Sequence, residues 1–160
     1  MAKTEQIIGR QAEKRLFGSR WIVLIAAVSG LVGVGIGAMG SHSLPLRLRE
    51  AGLTEELVQK KIGQCETAVK YQMFHTLAVL AIGLCPVTEK RPAWKVACIL
   101  FVVGMCFFSG GLYAIVFLDT IGHWSIVPLG GTILMIAWIT LGAGALFPVK
   151  SRPGTSEMVS

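Results

Sequence analysis

The chain has 160 residues, 53% of them hydrophobic and 15% charged, with a formal net charge of +6 and a mean hydropathy of +0.65. That balance excludes an ordinary soluble domain, and the length fits one domain. In so apolar a chain the positive charge reports membrane topology rather than nucleic-acid binding, so no nucleic-acid partner is expected.

Residues 1–20 are a polar tail carrying Lys3, Arg10, Lys14, Arg15 and Arg20, and mobility is expected there. Four segments follow that lack Asp, Glu, Lys and Arg apart from Lys95 at an edge: residues 21–40, 71–87, 94–118 and 125–147. Each falls within the roughly 17–25 residues that a helix needs to cross a bilayer, the second only just. None carries the polar stripe of a helix buried in a soluble bundle. Trp21, Trp94 and Trp124 stand at segment edges, where an indole buries its ring and keeps its N–H near headgroups. The first segment reads as a retained anchor, because its apolar stretch exceeds the roughly 7–15 residues of a cleavable signal core. The expected fold is therefore an all-α integral membrane protein, a bundle of four transmembrane helices over residues 21–147.

Ala26, Gly30, Gly33, Gly37 and Gly40 project within an arc of about 80° on the first helix. In lipid, close packing rather than the hydrophobic effect brings helices together, so this bare face marks a packing surface. Gly104, Ser109, Gly110 and Gly111 on the third helix and Gly130 and Gly131 on the fourth are its expected partners. Packing within one protomer is the plain reading; a homo-oligomer interface or a backbone wall of a ligand site are the alternatives. Residues 53–70 read as an amphipathic helix leading into the second span, either lying in the interface or forming a water-exposed extension of the second membrane helix. Thr54 is placed to cap it, and Glu56/Lys60 and Glu66/Lys70 have the i,i+4 spacing of ion pairs. Pro86 and Pro92 frame a tight second hairpin, Asp119–Trp124 is a shorter third loop, and Pro128 fits the first turn of the last helix. Residues 148–160 form a short tail expected to be flexible.

His42 follows the glycine face and His75 enters the second segment from the same membrane side, so the two are expected to lie close together. Tyr71 and Gln72 precede His75 by one turn, and Ser109 and Tyr113 present hydroxyls from the third helix. A polar group at this depth is expensive unless partnered. One reading is a small polar site for a proton, metal or ligand headgroup; the other is a satisfied interhelical hydrogen-bond cluster. Two histidines do not make a metal site, even with Asp119 and His123 as the best further candidates, so no metal and no cofactor is expected. Cys65, Cys85, Cys98 and Cys106 lack C-x-x-C spacing and read as small apolar side chains. No phosphate loop, nucleophile elbow or zinc-protease motif is present, and no charge sits deep in a segment.

The run Gly37–His42, the run Glu66–Ala78, Phe108–Tyr113 and Val127–Thr132 together resemble a family of small membrane proteins, domain of unknown function 423, widespread in bacteria and similar to the mitochondrial transmembrane protein 256. The resemblance covers about residues 21–147 and implies four membrane helices and a bacterial inner-membrane location. It implies no reaction. His42, Tyr71, Gln72, His75, Ser109, Tyr113, Pro128 and Gly130 match its motif positions; Ser41 stands where the family usually has Ala, and Gly111 where Ser is common. With four spans, the tails and second loop hold ten Lys/Arg against five in the first loop, so both termini are expected to be cytoplasmic. The expected role is non-enzymatic, a scaffold or an accessory subunit in contact with the bilayer and with other membrane subunits or copies of itself. The alternative is a binding or permeation protein for a small ligand, lipid, metal or proton around His42 and His75.

Overall fold

The computed structural model describes residues 2–119 and 125–146, with side chains from Arg20 onward except that of Glu89. Residues 120–124, including His123 and Trp124, and the expected tail 148–160 lie outside the described residues. Everything described is helix or turn: α1 (Ala2–His42), α2 (Leu44–Glu50), α3 (Glu55–Leu84), a 3-10 turn (Thr88–Lys90), α4 (Pro92–Leu118) and α5 (Ile126–Leu146). The helical class is as expected, with two differences in the elements. The backbone of residues 2–20, expected to be mobile, continues α1 without a break, a run rich in Gln, Glu, Lys and Arg that favour helix. Of the two readings of residues 53–70, the extension is the one found: the amphipathic segment and the second apolar segment are one helix, α3, which ends at Leu84 because Cys85 precedes Pro86 and adopts an extended backbone (ψ 118). Finally, α2 fills a stretch that had no expected element.

That short helix has a complete local logic. Pro45 sits in its first turn, where the missing N–H is harmless. It closes in a Schellman motif: Gly52 N–H donates to Arg49 O (2.9 Å) and Leu53 N–H to Leu48 O (3.2 Å), with Gly52 at φ +79. Leu44 and Leu48 bury beside Val58, Cys65 and Val116, with Leu53 packed on the cluster. Thr54 occupies the N-cap position of α3 but makes no side-chain cap bond. Nor do Glu56/Lys60 and Glu66/Lys70 pair among the described residues. The ion pair that forms is Arg49–Glu55 (2.8 Å), doubled by Arg49 Nε–H to Oε2 (3.0 Å) and joined by Gln59. It pins the α2–α3 turn.

Among the described residues three helices are long and apolar enough to cross a membrane: Arg20–His42 of α1, α4 and α5. The fourth expected span, in α3, does not meet that criterion, because its apolar half is short and polar side chains interrupt it. The helices pack in the order α1, α3, α4, α5, and the glycine contacts give each register. A side chain at Gly40 would meet Cys65 Sγ at 2.9 Å, one at Gly37 would meet Val69 at 3.4 Å, and one at Gly33 would meet Met73 Sδ at 2.8 Å. At the other end a Cβ at Gly83 would meet Ile22 Cγ2 at 2.8 Å. The bare face of α1 therefore lies on α3, not on α4 or α5 as expected, in straight antiparallel register from Cys65 to Gly83. Gly104, Gly111 and Gly130 instead join α4 to α5, where a Cβ at Gly130 would strike the backbone of Phe107 and Phe108. Ordinary contact with the Phe108 ring occupies Gly131 (3.6 Å). Around these seams a core of Ala26, Val79, Ala97, Phe101, Leu134 and Ala137 closes.

Gly130→Ala is expected to force α4 and α5 apart and to destabilise by about 1–3 kcal/mol. Gly35→Ala, with no atom within 4 Å, should change stability by less than about 0.5 kcal/mol. Unfolding in mixed micelles measures both. Glu55 is held down to about 2 from the ordinary 4.5, first by the Arg49 hydrogen bond and then by Gln59. The pinning is thus complete above pH 4.5 and is lost as pH falls through about 2. In Arg49→Gln, carboxyl NMR should show Glu55 titrating closer to 4.5.

Candidate functional site

The interior stripe of α3 is built from Ala68, Gln72, His75, Thr76 and Val79, which recur at three and four residues and are all buried. Two of them stitch three helices together. Gln72 Nε2–H donates to Ser29 O on α1 (2.8 Å), and Tyr113 O–H on α4 donates to Gln72 Oε1 (2.7 Å). Thr76 and Ser29 share a hydroxyl–hydroxyl bond of 2.7 Å, and Ser109 O–H donates to the α3 backbone at Ala68 O (2.9 Å).

His75 is held differently. Its Nδ1 lies 2.7 Å from Tyr71 O, and Trp138 Nε1–H on α5 reaches its Nε2 at 3.2 Å. An indole N–H can only donate, so Nε2 accepts and the proton resides on Nδ1, donated to the carbonyl. Both ring nitrogens are used. Phe101 and Trp138 pack around it at centroid distances of 5.6 and 6.1 Å, and the two meet edge to face at 5.0 Å. Tyr71 leaves this interior, packing its ring on Phe108 (4.7 Å) while remaining 41% exposed.

The structure brings Gln72, Ser109 and Tyr113 into one network with His75 a turn away, and it separates His42. The register that sets Gly40 against Cys65 and Gly30 against Thr76 places His42, exposed at the end of α1, about twelve residues of helix from His75, roughly 18 Å. His75 sits level with the middle of the apolar span of α1, because α3 begins pairing with α1 at Cys65, six residues before its apolar run. The two-histidine pocket is not formed. Among the described residues no cluster of three or more His, Cys, Asp or Glu is placed to hold a metal ion. A cavity of about 450 Å³ does open between α1 and α4. Ser29, Gln72, Ser109 and Tyr113 line it, but each is already committed to a bond across helices.

Sequence reasoning missed Ser29, Thr76 and Trp138. The legible signal was Trp138, the one tryptophan away from a segment edge, whose mid-span N–H requires an acceptor. It also missed two cations that satisfy helix ends. Lys61 Nζ, its side chain only 13% exposed, donates to Ile115 O, Val116 O and Asp119 Oδ1 (3.3, 3.3 and 2.7 Å) at the C-terminus of α4. Arg91 donates to Gly144 O and Ala145 O at the end of α5 and stacks on Trp94 at 5.3 Å. Orphan carbonyls and the negative end of the helix dipole account for both.

A family model described as "Protein of unknown function (DUF423)" matches residues 36–131, a stretch that includes Gln72, His75, Ser109 and Tyr113 but neither Ser29 nor Trp138. A UPF0382 membrane protein of Haemophilus influenzae is 35% identical over 83% of this chain and 98% of its own. One of Schizosaccharomyces pombe is 35% identical over 73% of this chain and 94% of its own. The UPF0382 inner membrane protein YgdD of Escherichia coli is 32% identical over 80% of this chain and 91% of its own. No solved structure matches.

Trp138→Phe keeps the ring contacts but strands Nε2 of His75, and a loss of about 1–3 kcal/mol is expected. In His75→Phe/Trp138→Phe, where both partners go, the loss should be smaller than the sum of the single losses; additive losses in unfolding experiments would exclude the bond.

Proposed function

The chain belongs to the DUF423 protein family, whose relatives are named as membrane proteins, and from that premise we propose a four-span, non-catalytic membrane protein that acts as a helical scaffold or accessory subunit of a membrane complex. The observation that carries this reading is the closed hydrogen bonding of the central polar groups. An acid or base catalyst needs a nitrogen or oxygen turned toward a substrate, whereas both nitrogens of His75 and both ends of the Gln72 amide are engaged by the protein itself. A polar core of this kind fixes which helices meet and in what register.

The fourth span in this reading is α3. Its contacts with α1 run from Gly40/Cys65 to Ile22/Gly83, the length of the α1 span, so a bilayer that surrounds α1 also surrounds α3. The low hydropathy of α3 has a cause: Gln72, Thr76 and His75 face α1, α4 and α5 and not lipid. An even number of spans puts both termini on one side. The excess of Lys and Arg there supports a cytoplasmic location for both termini, and the inner-membrane name of the Escherichia coli relative supports the compartment.

Native mass spectrometry of the full chain from a mild detergent is expected to give assemblies heavier than 17.2 kDa; a uniform monomer with no bound protein overturns the scaffold role. Reporters fused to each terminus should both be active in the cytoplasm. Opposite sides would remove α3 from the bilayer without bearing on the oligomer result.

A further inference from the structure

A second cavity, of about 310 Å³, opens at the α2 end where α1 meets α3. One wall is the bare backbone of Gly37 and Gly40; Ile62 and Val69 supply apolar surface opposite, and Glu66 and Lys70 complete the lining. Two properties of this charged pair are unusual together. Glu66 and Lys70 have the i,i+4 spacing that favours an ion pair on a helix, yet among the described residues they pair neither with each other nor with another side chain, and both are exposed. They also lie at membrane depth. The contacts Val69–Gly37 and Cys65–Gly40 set Lys70 level with Ile36 and Gly37, and Glu66 level with Met39 and Gly40, all inside the apolar span Arg20–His42. Lys70 is thus about 9 Å below the end of that span, and Glu66 about 6 Å further out along α3. A charge at that depth is costly unless it reaches toward the interface and meets a counter-charge.

We propose that this cleft binds the headgroup of a zwitterionic phospholipid bearing a primary ammonium, phosphatidylethanolamine in type. The order of charges along α3 matches such a lipid: the inner Lys70 meets the phosphate and the outer Glu66 meets the ammonium. The apolar side chains and the glycine backbone below accept the glycerol end of the acyl chains. A primary ammonium has N–H donors for the Glu66 carboxylate. Choline has none, and a glycerol headgroup brings no positive charge to Glu66. The inference needs α3 to lie in the bilayer beside α1 and is independent of the scaffold role.

The test is native mass spectrometry of the full chain exchanged into detergent with phosphatidylethanolamine, phosphatidylcholine and phosphatidylglycerol of identical acyl chains. Wild type is expected to retain one ethanolamine lipid over the other two by about tenfold, the worth of one charge-assisted hydrogen bond. Glu66→Gln should bring ethanolamine and choline lipids to parity, and Lys70→Gln should weaken retention of all three. The exchanged variant, Glu66→Lys with Lys70→Glu, keeps the charges and the helical spacing but reverses their order. It should unfold like wild type and lose the preference. Equal retention of the three lipids by wild type, or an undiminished preference in the exchanged variant, overturns the proposal. So does displacement of the lipid by soluble phosphoethanolamine, which would make the ligand an aqueous solute.

Discussion

Two apolar helices in lipid gain little from touching, because the acyl chains they displace are as apolar as they are. What decides their arrangement is how closely the backbones approach and whether every polar group inside finds a partner. Both conditions converge on α3. On one side it receives the glycine face of α1, and on the other it receives Ser109 and Tyr113 of α4; its own Gln72 spans the two. Remove α3 and α1 loses the surface on which its glycine face packs, while α4 and α5 stay joined by their glycine seam, the Phe101–Trp138 contact and Arg91. The least apolar of the four long helices is the one whose polar side chains bond to all three of the others.

That same fact governs what was legible in the sequence. The glycine spacing gave the packing face of α1 correctly because it is local to one helix, but it did not give the partner. Nothing in one helix's pattern says which neighbour it meets. The hydropathy of α3 changes at Tyr71 while its backbone does not, so the sequence leaves open whether the amphipathic run is a separate interfacial helix or an extension of the apolar one. Its depth was misjudged for the same reason, and with it the position of His75. Counted from an apolar start at Tyr71 the histidine is near the surface; counted from the first contact at Cys65 it is in the middle. Gln72, Ser109 and Tyr113 were legible as interior polar groups, whereas their pairing, and the part played by Ser29, Thr76 and Trp138, exist only in three dimensions. The Schellman turn at Gly52 was available from the residues Leu48, Gly52 and Leu53 and went unread.

Solvent divides the stabilisation of the molecule into two regimes. At the α2 end, Leu44 and Leu48 bury against α3 and α4, and where this layer meets water each burial contributes about 1.5–3 kcal/mol in the ordinary hydrophobic manner. Along the spans that contribution disappears and hydrogen bonds and contact distance take its place. The isolated bidentate pair Arg49–Glu55 belongs to the first regime, fully exposed and screened by water. Its place is at a turn, where fixing the geometry of the chain entry matters more than its energy.

The helix ends join the two regimes. The last carbonyls of α4 and α5 have no intrahelical donors, and each set is met by a cation from a neighbouring element, Lys61 from α3 and Arg91 from the start of α4. Lys61 and Lys70 are nine residues apart on one helix and make the contrast plain. Lys61 is drawn inward because a carboxylate and two carbonyls wait for it. Lys70 lies deeper along the span, and among the described residues it pairs with no carboxylate, Glu66 one turn away included. Within a bilayer the nearest source of negative charge for such a side chain is the layer of lipid phosphates. On this protein the division between charges that hold helices together and charges that address the membrane therefore follows from where oxygen atoms of the chain end and those of the lipid begin.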